Sequence, residues 1–186
     1  MLKELSKYLR GKYTFVVNPV GSGSENVITW NDNTKKGFDL DYNLILQSGI
    51  SNNAGKIRKD FFNAMNVISA DSGFEIINRK RVLEIKGFDR RLDCEISCDI
   101  AIIAETDQDR MIIVYDINTG RYIWNELENY QESKLMKDYI KSNNLMQKFR
   151  EEYLKVKNNN ADPYKHSYIL RLEAINNTYN NFINGR

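Results

Sequence analysis

The chain has few of the residues that cross-link small proteins or bind transition metals. Its 186 residues include two cysteines, two prolines and one histidine. Cys94 and Cys98 lie close together in a strand-like segment, whereas His166 is far along the chain. A structural zinc site needs about four Cys or His ligands. We therefore expect neither a zinc site nor a disulfide framework, but two reduced and partly buried thiols.

The chain also lacks a strong excess of charge and a long apolar run. Its formal net charge is only +2, whereas general nucleic-acid binders carry an excess of Lys and Arg that neutralises many phosphates. No stretch approaches the ~20 apolar residues of a membrane span, and the N-terminus has no signal-peptide core. The sequence therefore predicts a cytoplasmic protein without a membrane partner, in which any phosphate affinity is local.

Apolar periodicity predicts strands in the first two thirds of the chain and helices in the last third. Alternating residues predict strands over 14–17, 38–46, 81–85, 94–103, 111–115 and 121–124. A helix is predicted over 53–69, capped by Asn52 or Asn53. This order predicts an α+β fold with a mixed, mainly antiparallel sheet, flanking helices and a C-terminal helical tail. We predict a core over residues 1–125 and a tail over 126–186 that packs on it.

Three aspartates stand out within the predicted strands. Asp39 and Asp41 are separated by one residue, so their side chains point to the same face of a strand, where two like charges are costly without a cation. Asp99 interrupts the apolar run 96–103, in which an unpaired carboxylate would be expensive. Mg²⁺ prefers carboxylate, phosphate and water oxygens. The three residues are therefore candidate metal ligands.

A run of small residues lies between the first strand and the acidic pair. The segment Gly21, Ser22, Gly23 and Ser24 provides backbone N–H groups and hydroxyls that suit phosphate oxygens. We expect it to bind a triphosphate close to the metal, although an ordinary turn has the same composition.

Together these elements resemble the polymerase β nucleotidyltransferase superfamily. Its pattern is a Gly-Ser dipeptide, an acidic pair and a distant third acid, which Gly23-Ser24, Asp39, Asp41 and Asp99 match over roughly residues 13 to 104. Gly21-Ser22 repeats the dipeptide two residues earlier, so the register of the motif stays open. The strands followed by a helical tail look most like the oligoadenylate synthase and cyclic-dinucleotide synthase branch and its antibiotic- and toxin-type cousins.

The resemblance implies a function and its cofactors. Residues 1–125 would be the catalytic core of a nucleotidyltransferase, which moves a nucleoside monophosphate from ATP or GTP to an acceptor hydroxyl and releases pyrophosphate. Two Mg²⁺ ions, with Mn²⁺ as a substitute, would lie at Asp39, Asp41 and Asp99, with Asp99 near the acceptor hydroxyl. The acceptor is left open between a small molecule, a nucleotide, RNA and a protein, and so is the oligomeric state.

Two other interpretations compete with this one. Asp71, Glu84 and Lys86 resemble the Asp and Glu-x-Lys arrangement of metal-dependent nucleases. Alternatively, the fold serves as a catalytically silent module that binds a nucleotide or a protein. The basic run 79–81 either guides an anionic acceptor or keeps a strand edge soluble.

Overall fold

The computed structural model describes residues 1–21, 36–91, 93–106, 109–127, 131–162 and 167–185. Within this part the chain forms seven strands and five helices. The strands are β1 (Thr14–Val20), β2 (Lys36–Ser48), β3 (Glu75–Asn78), β4 (Leu83–Asp89), β5 (Cys94–Glu105), β6 (Arg110–Asp116) and β7 (Arg121–Glu126). The helices are α1 (Leu2–Tyr8), α2 (Ala54–Ser69), α3 (Gln131–Ser142), α4 (Met146–Asn158) and α5 (Ser167–Ile183). The predicted α+β class is confirmed.

The strands form one open sheet with the order β1-β2-β5-β4-β3. Strands β2 and β5 are parallel, whereas the other described pairs are antiparallel. Strand β5 is long enough to pair with β4 near its start and with β6 near its end. The sheet is therefore mixed and mainly antiparallel, as the sequence predicts.

One face of the sheet is covered by α2, whose apolar stripe forms the core. Ile57, Phe61 and Met65 of α2 are fully buried against Leu44 of β2 and Ile100 of β5, among others. The helix begins where the Asn53 side chain accepts a hydrogen bond of 2.9 Å from the backbone N–H of residue 56, which satisfies one of the unpaired donors of the first turn. The predicted cap and apolar face of α2 are confirmed.

Two strands differ from the sequence prediction. Strand β1 continues through Pro19, where a loop was expected, because β1 pairs only with β2 among the described strands and an edge strand tolerates a residue without an N–H donor. Strand β3 was missed, since four residues are too short to show a clear period.

The chain divides into two compact units, Met1–Glu128 and Asn129–Arg186. The first contains the whole sheet with α1 and α2. The second consists of α3, α4 and α5, whose buried residues include Ile140, Phe149, Tyr153, Leu170 and Ile175. No helix in the described residues is long and apolar enough to cross a membrane. The packing of the tail on the core remains a prediction.

Candidate functional site

Three carboxylates form a row across the centre of the sheet. Asp41 of β2 lies beside Asp99 of β5 in the parallel pair, and Asp99 lies beside Glu84 of β4 in the antiparallel pair. Residues in register on neighbouring strands share a face. We call Asp41, Asp99 and Glu84 the carboxylate row. It lies on the face opposite α2, because the alternating neighbours Leu83, Ile85 and Ile100 belong to the core under that helix.

Asp39 extends the row by one position along β2. It lies beside Ser97 of β5, whose hydroxyl donates a hydrogen bond of 2.8 Å to Asp39 Oδ1. The Asp39 side chain is exposed, so its carboxylate is accessible to a ligand from solvent. The structure therefore brings Asp39, Asp41 and Asp99 to one face, as the two-residue alternation and the apolar run predict.

The crowding of carboxylates changes the acidity of the central residue. The pKa of Asp99 rises from 3.8 to about 6, first because the group is partly buried and then because Asp39 and Glu84 repel its charge. Arg79 acts in the opposite direction and lowers this pKa. Like charges so close together are stabilised by a cation, so this face favours a bound metal ion or another positive group.

Glu84 is a member of the site that the sequence analysis assigned only to the rival nuclease. The Glu84 side chain is 16% exposed, and one of its carboxylate oxygens accepts a hydrogen bond of 2.6 Å from Nε of Arg79. The Arg79 side chain is 56% exposed. The alternation of Leu83, Glu84 and Ile85 indicates that Glu84 faces away from the core. Its pairing with Asp99 depends on the register of two strands, which no local pattern reveals.

The described end of the small-residue run is packed against Asp41. Gly21 follows β1 with a positive φ of 64°, which favours glycine. A Cβ atom at Gly21 would lie 2.2 Å from Asp41 Oδ2, so any other residue at this position would force the Asp41 carboxylate to move. Ser22, Gly23 and Ser24 lie outside the described residues, and the register of the Gly-Ser motif stays open.

The donor set fits Mg²⁺, although the protein provides only part of a coordination shell. Among the described residues, no group of three or more His, Cys, Asp or Glu side chains is placed so that it could hold a metal ion by itself. Mg²⁺ at nucleotide sites is usually held by one or two carboxylates together with substrate phosphates and waters. The mutual repulsion at Asp99 and the space kept beside Asp41 by Gly21 are consistent with such a partly built site.

The residues of the nuclease interpretation are not brought together in the same way. Glu84 and Lys86 share the face of the carboxylate row, where Lys86 Nζ lies 3.5 Å from a Glu95 carboxylate oxygen. Asp71 follows the end of α2, and α2 packs on the opposite face of the sheet. In the described residues the structure therefore groups Glu84 with Asp99 and Arg79 rather than with Asp71.

Solved structures that match this architecture include cyclic dinucleotide synthases. The Vibrio cholerae DncV cyclic AMP-GMP synthase, in complex with a linear intermediate, matches with a TM-score of 0.59 and 11% identity over 89% of this chain and 45% of that chain. Elizabethkingia meningoseptica CdnE, a cyclic dinucleotide synthase with GTP and Apcpp, matches with a TM-score of 0.59 and 15% identity over 100% and 70%. Escherichia coli DncV in its 3′-deoxy GTP bound form matches with a TM-score of 0.57 and 12% identity. This match covers 90% of this chain and 46% of that chain.

These likenesses show a nucleotidyltransferase fold. At 11% and 15% identity they show the fold alone, and at that level they agree with the expected resemblance to the cyclic-dinucleotide synthase branch. The chain spans about half the length of the DncV proteins that it matches. No protein-family model matches the sequence, and no curated protein is significantly similar to it.

Proposed function

We propose that this chain is a metal-dependent nucleotidyltransferase, which moves a nucleoside monophosphate from a nucleoside triphosphate to an acceptor hydroxyl. The observation that carries the proposal is the pairing of Asp41 with Asp99 on adjacent parallel strands, with Asp39 on the same face. The fold is shared with a synthase solved with both GTP and Apcpp, which supports ATP or GTP as the donor.

Residues at different positions along the sheet would bind the metal and the triphosphate. Asp39, Asp41 and Asp99 would hold the metal, and the backbone after β1 at Gly21 would approach the triphosphate beside Asp41. Two bound Mg²⁺ ions, or Mn²⁺ in their place, would neutralise the triphosphate and activate the attacking hydroxyl. The hydrogen bond from Ser97 would keep Asp39 Oδ1 in place, which preserves the orientation of the acidic pair.

Asp99 is suited to take the proton of the acceptor. Without a cation its pKa is raised to about 6, by burial and then by the charges of Asp39 and Glu84; a bound cation would favour its ionised form, which is the form that accepts a proton. The acceptor oxygen would form a bond to the α-phosphorus while the bond to the β-phosphate oxygen breaks. The hydroxyl proton would move to Asp99, and pyrophosphate would leave with the electron pair of the broken bond.

Calorimetric titration with non-hydrolysable ATP and GTP analogues, with and without Mg²⁺, tests the nucleotide site. We expect Mg²⁺-dependent binding to the native chain and its loss in the double variant Asp39→Asn, Asp41→Asn. A matched control is Asp71→Asn, Asp109→Asn, which removes the same charge at two exposed positions of the first unit that are not part of the carboxylate row. Absence of binding to the native chain, or equal binding by both double variants, would contradict the proposal.

Activity and the two rival interpretations are separated by a second measurement. The native chain, supplied with α-labelled triphosphate, Mg²⁺ and a panel of hydroxyl acceptors, should release pyrophosphate and label an acceptor. Nucleotide binding without any transfer would favour the silent module. Metal-dependent cleavage of nucleic acid that is lost in Lys86→Ala but kept in Asp41→Asn would favour the nuclease.

A further inference from the structure

A second row of side chains crosses the sheet beside the carboxylate row. Lys86 of β4 lies beside Ser97 of β5, and Ser97 lies beside Asp39 of β2. We call Lys86, Ser97 and Asp39 the serine row. Ser97 precedes Asp99 by two residues on the same strand, so both side chains point to one face, roughly 7 Å apart along the strand. The serine row therefore places a hydroxyl between an ammonium group and a carboxylate, next to the proposed metal ligands.

The Ser97 hydroxyl is oriented by its bond to Asp39. Ser97 Oγ donates to Asp39 Oδ1 at 2.8 Å, so the proton points at the carboxylate and the lone pairs of the oxygen stay available. A serine hydroxyl that shares its proton with a neighbouring base is a better nucleophile than a free one, because the base takes the proton as the new bond forms. Ser97 is half-buried rather than enclosed, so a ligand on this face can reach its oxygen.

Lys86 supplies positive charge on the other side of this hydroxyl. Its Nζ lies 3.5 Å from a carboxylate oxygen of Glu95, and its side chain is 44% exposed. An exposed ion pair of this kind contributes little stability, so the ammonium group can turn from Glu95 towards a phosphate oxygen bound above Ser97. Lys86 thus has a use on this face that does not depend on the nuclease interpretation.

We propose that Ser97 is an internal acceptor, so that the chain attaches a nucleoside monophosphate to its own serine when no other acceptor is bound. This inference rests on the proposed transferase function and adds a second acceptor to it. Ser97 Oγ would form a bond to the α-phosphorus while the bond from that phosphorus to the β-phosphate oxygen breaks. The hydroxyl proton would pass to Asp39 Oδ1, and pyrophosphate would leave with the electron pair of the broken bond. The product is a phosphodiester between the serine and the nucleoside.

An internal acceptor differs from a diffusing one in both concentration and outcome. A hydroxyl fixed beside the donor reacts at an effective concentration far above that of a free acceptor. The reaction occurs once per chain, because the attached nucleotide then covers Asp39 and removes the hydrogen bond that orients it. An acceptor bound beside Asp99 would compete with Ser97 for the same α-phosphate. Self-modification would therefore close the site of a chain that holds a triphosphate without an acceptor.

The test follows the mass of the whole chain. The native chain is incubated with ATP or GTP and Mg²⁺ without an added acceptor, and any modified residue is located by tandem mass spectrometry. The variants are Ser97→Ala, Ser97→Thr and, as a control at an exposed position of α1, Ser6→Ala. We expect a single nucleoside monophosphate on Ser97, attached at a rate that does not depend on chain concentration. Ser97→Thr should keep the label because it keeps a hydroxyl, Ser6→Ala should match the native chain, and Ser97→Ala should carry none.

A second readout does not depend on turnover. The modified chain is freed of nucleotide and metal, and Mg²⁺ and a triphosphate analogue are then titrated into it by calorimetry. We expect the affinity for the analogue to fall at least about tenfold relative to the unmodified chain, because the attached nucleotide occupies the face and the bond from Ser97 to Asp39 is lost. Unchanged affinity would overturn the inference, since the label would then lie outside the nucleotide site.

The outcomes separate this inference from the function on which it rests. Label on another residue, or no label on a native chain that binds the analogue, overturns the inference, while transfer to an added acceptor leaves the transferase proposal standing. A rate that rises with chain concentration overturns it as well, because copies of the chain would then modify one another. If the native chain binds no triphosphate analogue, the proposed function fails and the inference fails with it. Ser97→Ala also frees Asp39, so the location of the label in the native chain is the deciding result.

Discussion

Replacing Gly21 by alanine should damage the nucleotide site far more than the fold. Alanine at a positive φ costs about 1–2 kcal/mol of stability. In addition, the new Cβ would lie 2.2 Å from Oδ2, 3.0 Å from Cγ and 3.3 Å from Cβ of Asp41. Rotation of the Asp41 carboxylate relieves the first two contacts but moves a proposed metal ligand away from Asp99. A misplacement of about 1 Å at a reacting centre can reduce activity about 100-fold.

Gly73 provides a matched control for this prediction. It also has a positive φ, 73°, but a Cβ atom there meets nothing within 4 Å. Urea unfolding should therefore show a loss of about 1–2 kcal/mol for Gly73→Ala and a loss at least as large for Gly21→Ala. Calorimetric titration with Mg²⁺ and a triphosphate analogue should show native-like binding for Gly73→Ala and loss of binding for Gly21→Ala. If the two variants bind the analogue equally well, the proposed role of the Gly21 and Asp41 contact is refuted.

Two further substitutions test the electrostatics of the site and its support. Because the pKa of Asp99 is raised from 3.8 to about 6, ionisation of this group opposes folding, and the cost develops as the pH rises through this interval and persists above it. In metal-free buffer at pH 8, Asp99→Asn should therefore stabilise the chain by about 1–2 kcal/mol after solvent screening, with the gain vanishing below pH 4. A gain that is the same at both pH values in denaturant titrations would contradict this assignment. Arg58→Met should lower the free energy of unfolding by about 2–4 kcal/mol, because several carbonyl acceptors lose a buried donor. The exposed neighbour Lys59→Met should change it by less than about 0.5 kcal/mol, and similar losses in both would refute the anchoring role of Arg58.

The sequence predicts the strands that carry the site residues better than it predicts which strands pair with one another in the sheet. Alternation places Asp39 and Asp41 on one face of a strand, and the apolar run around Asp99 identifies a second buried strand. The parallel register of these strands joins residues 58 positions apart, as in the bond from Ser97 to Asp39. No local period encodes such a pairing, because it depends on how the whole sheet assembles. For the same reason the local pattern around Glu84 indicates a different type of site, that of a metal-dependent nuclease.

The sequence also does not predict that a buried arginine supports the loop between β3 and β4. Arg58 lies near the start of α2, between Lys56 and Lys59. A basic residue in such a run is expected on the solvent-exposed face of the helix. It is instead buried, because the carbonyl groups of the β3–β4 loop and the ring of Tyr122, 5.2 Å from the guanidinium carbon, replace its hydration. Burial lowers its pKa to about 10, yet the group stays charged at neutral pH. Only tertiary structure shows which arginines of this region face the core and which face the site.

The distribution of charge bears on the choice between an enzyme and a silent binding module. A module that bound a triphosphate without metal would have to place phosphate charge beside Asp39, Asp41 and Asp99, on a face where burial and then the charges of Asp39 and Glu84 already raise the pKa of Asp99. Arg79 offsets only part of that charge, since it is itself paired with Glu84. Nucleotide binding on this face therefore requires additional positive charge, and divalent cations carried by the triphosphate are the simplest source. The same cations would bring the α-phosphate next to the ionised carboxylate of Asp99, so the conditions that would permit binding here would also suit transfer.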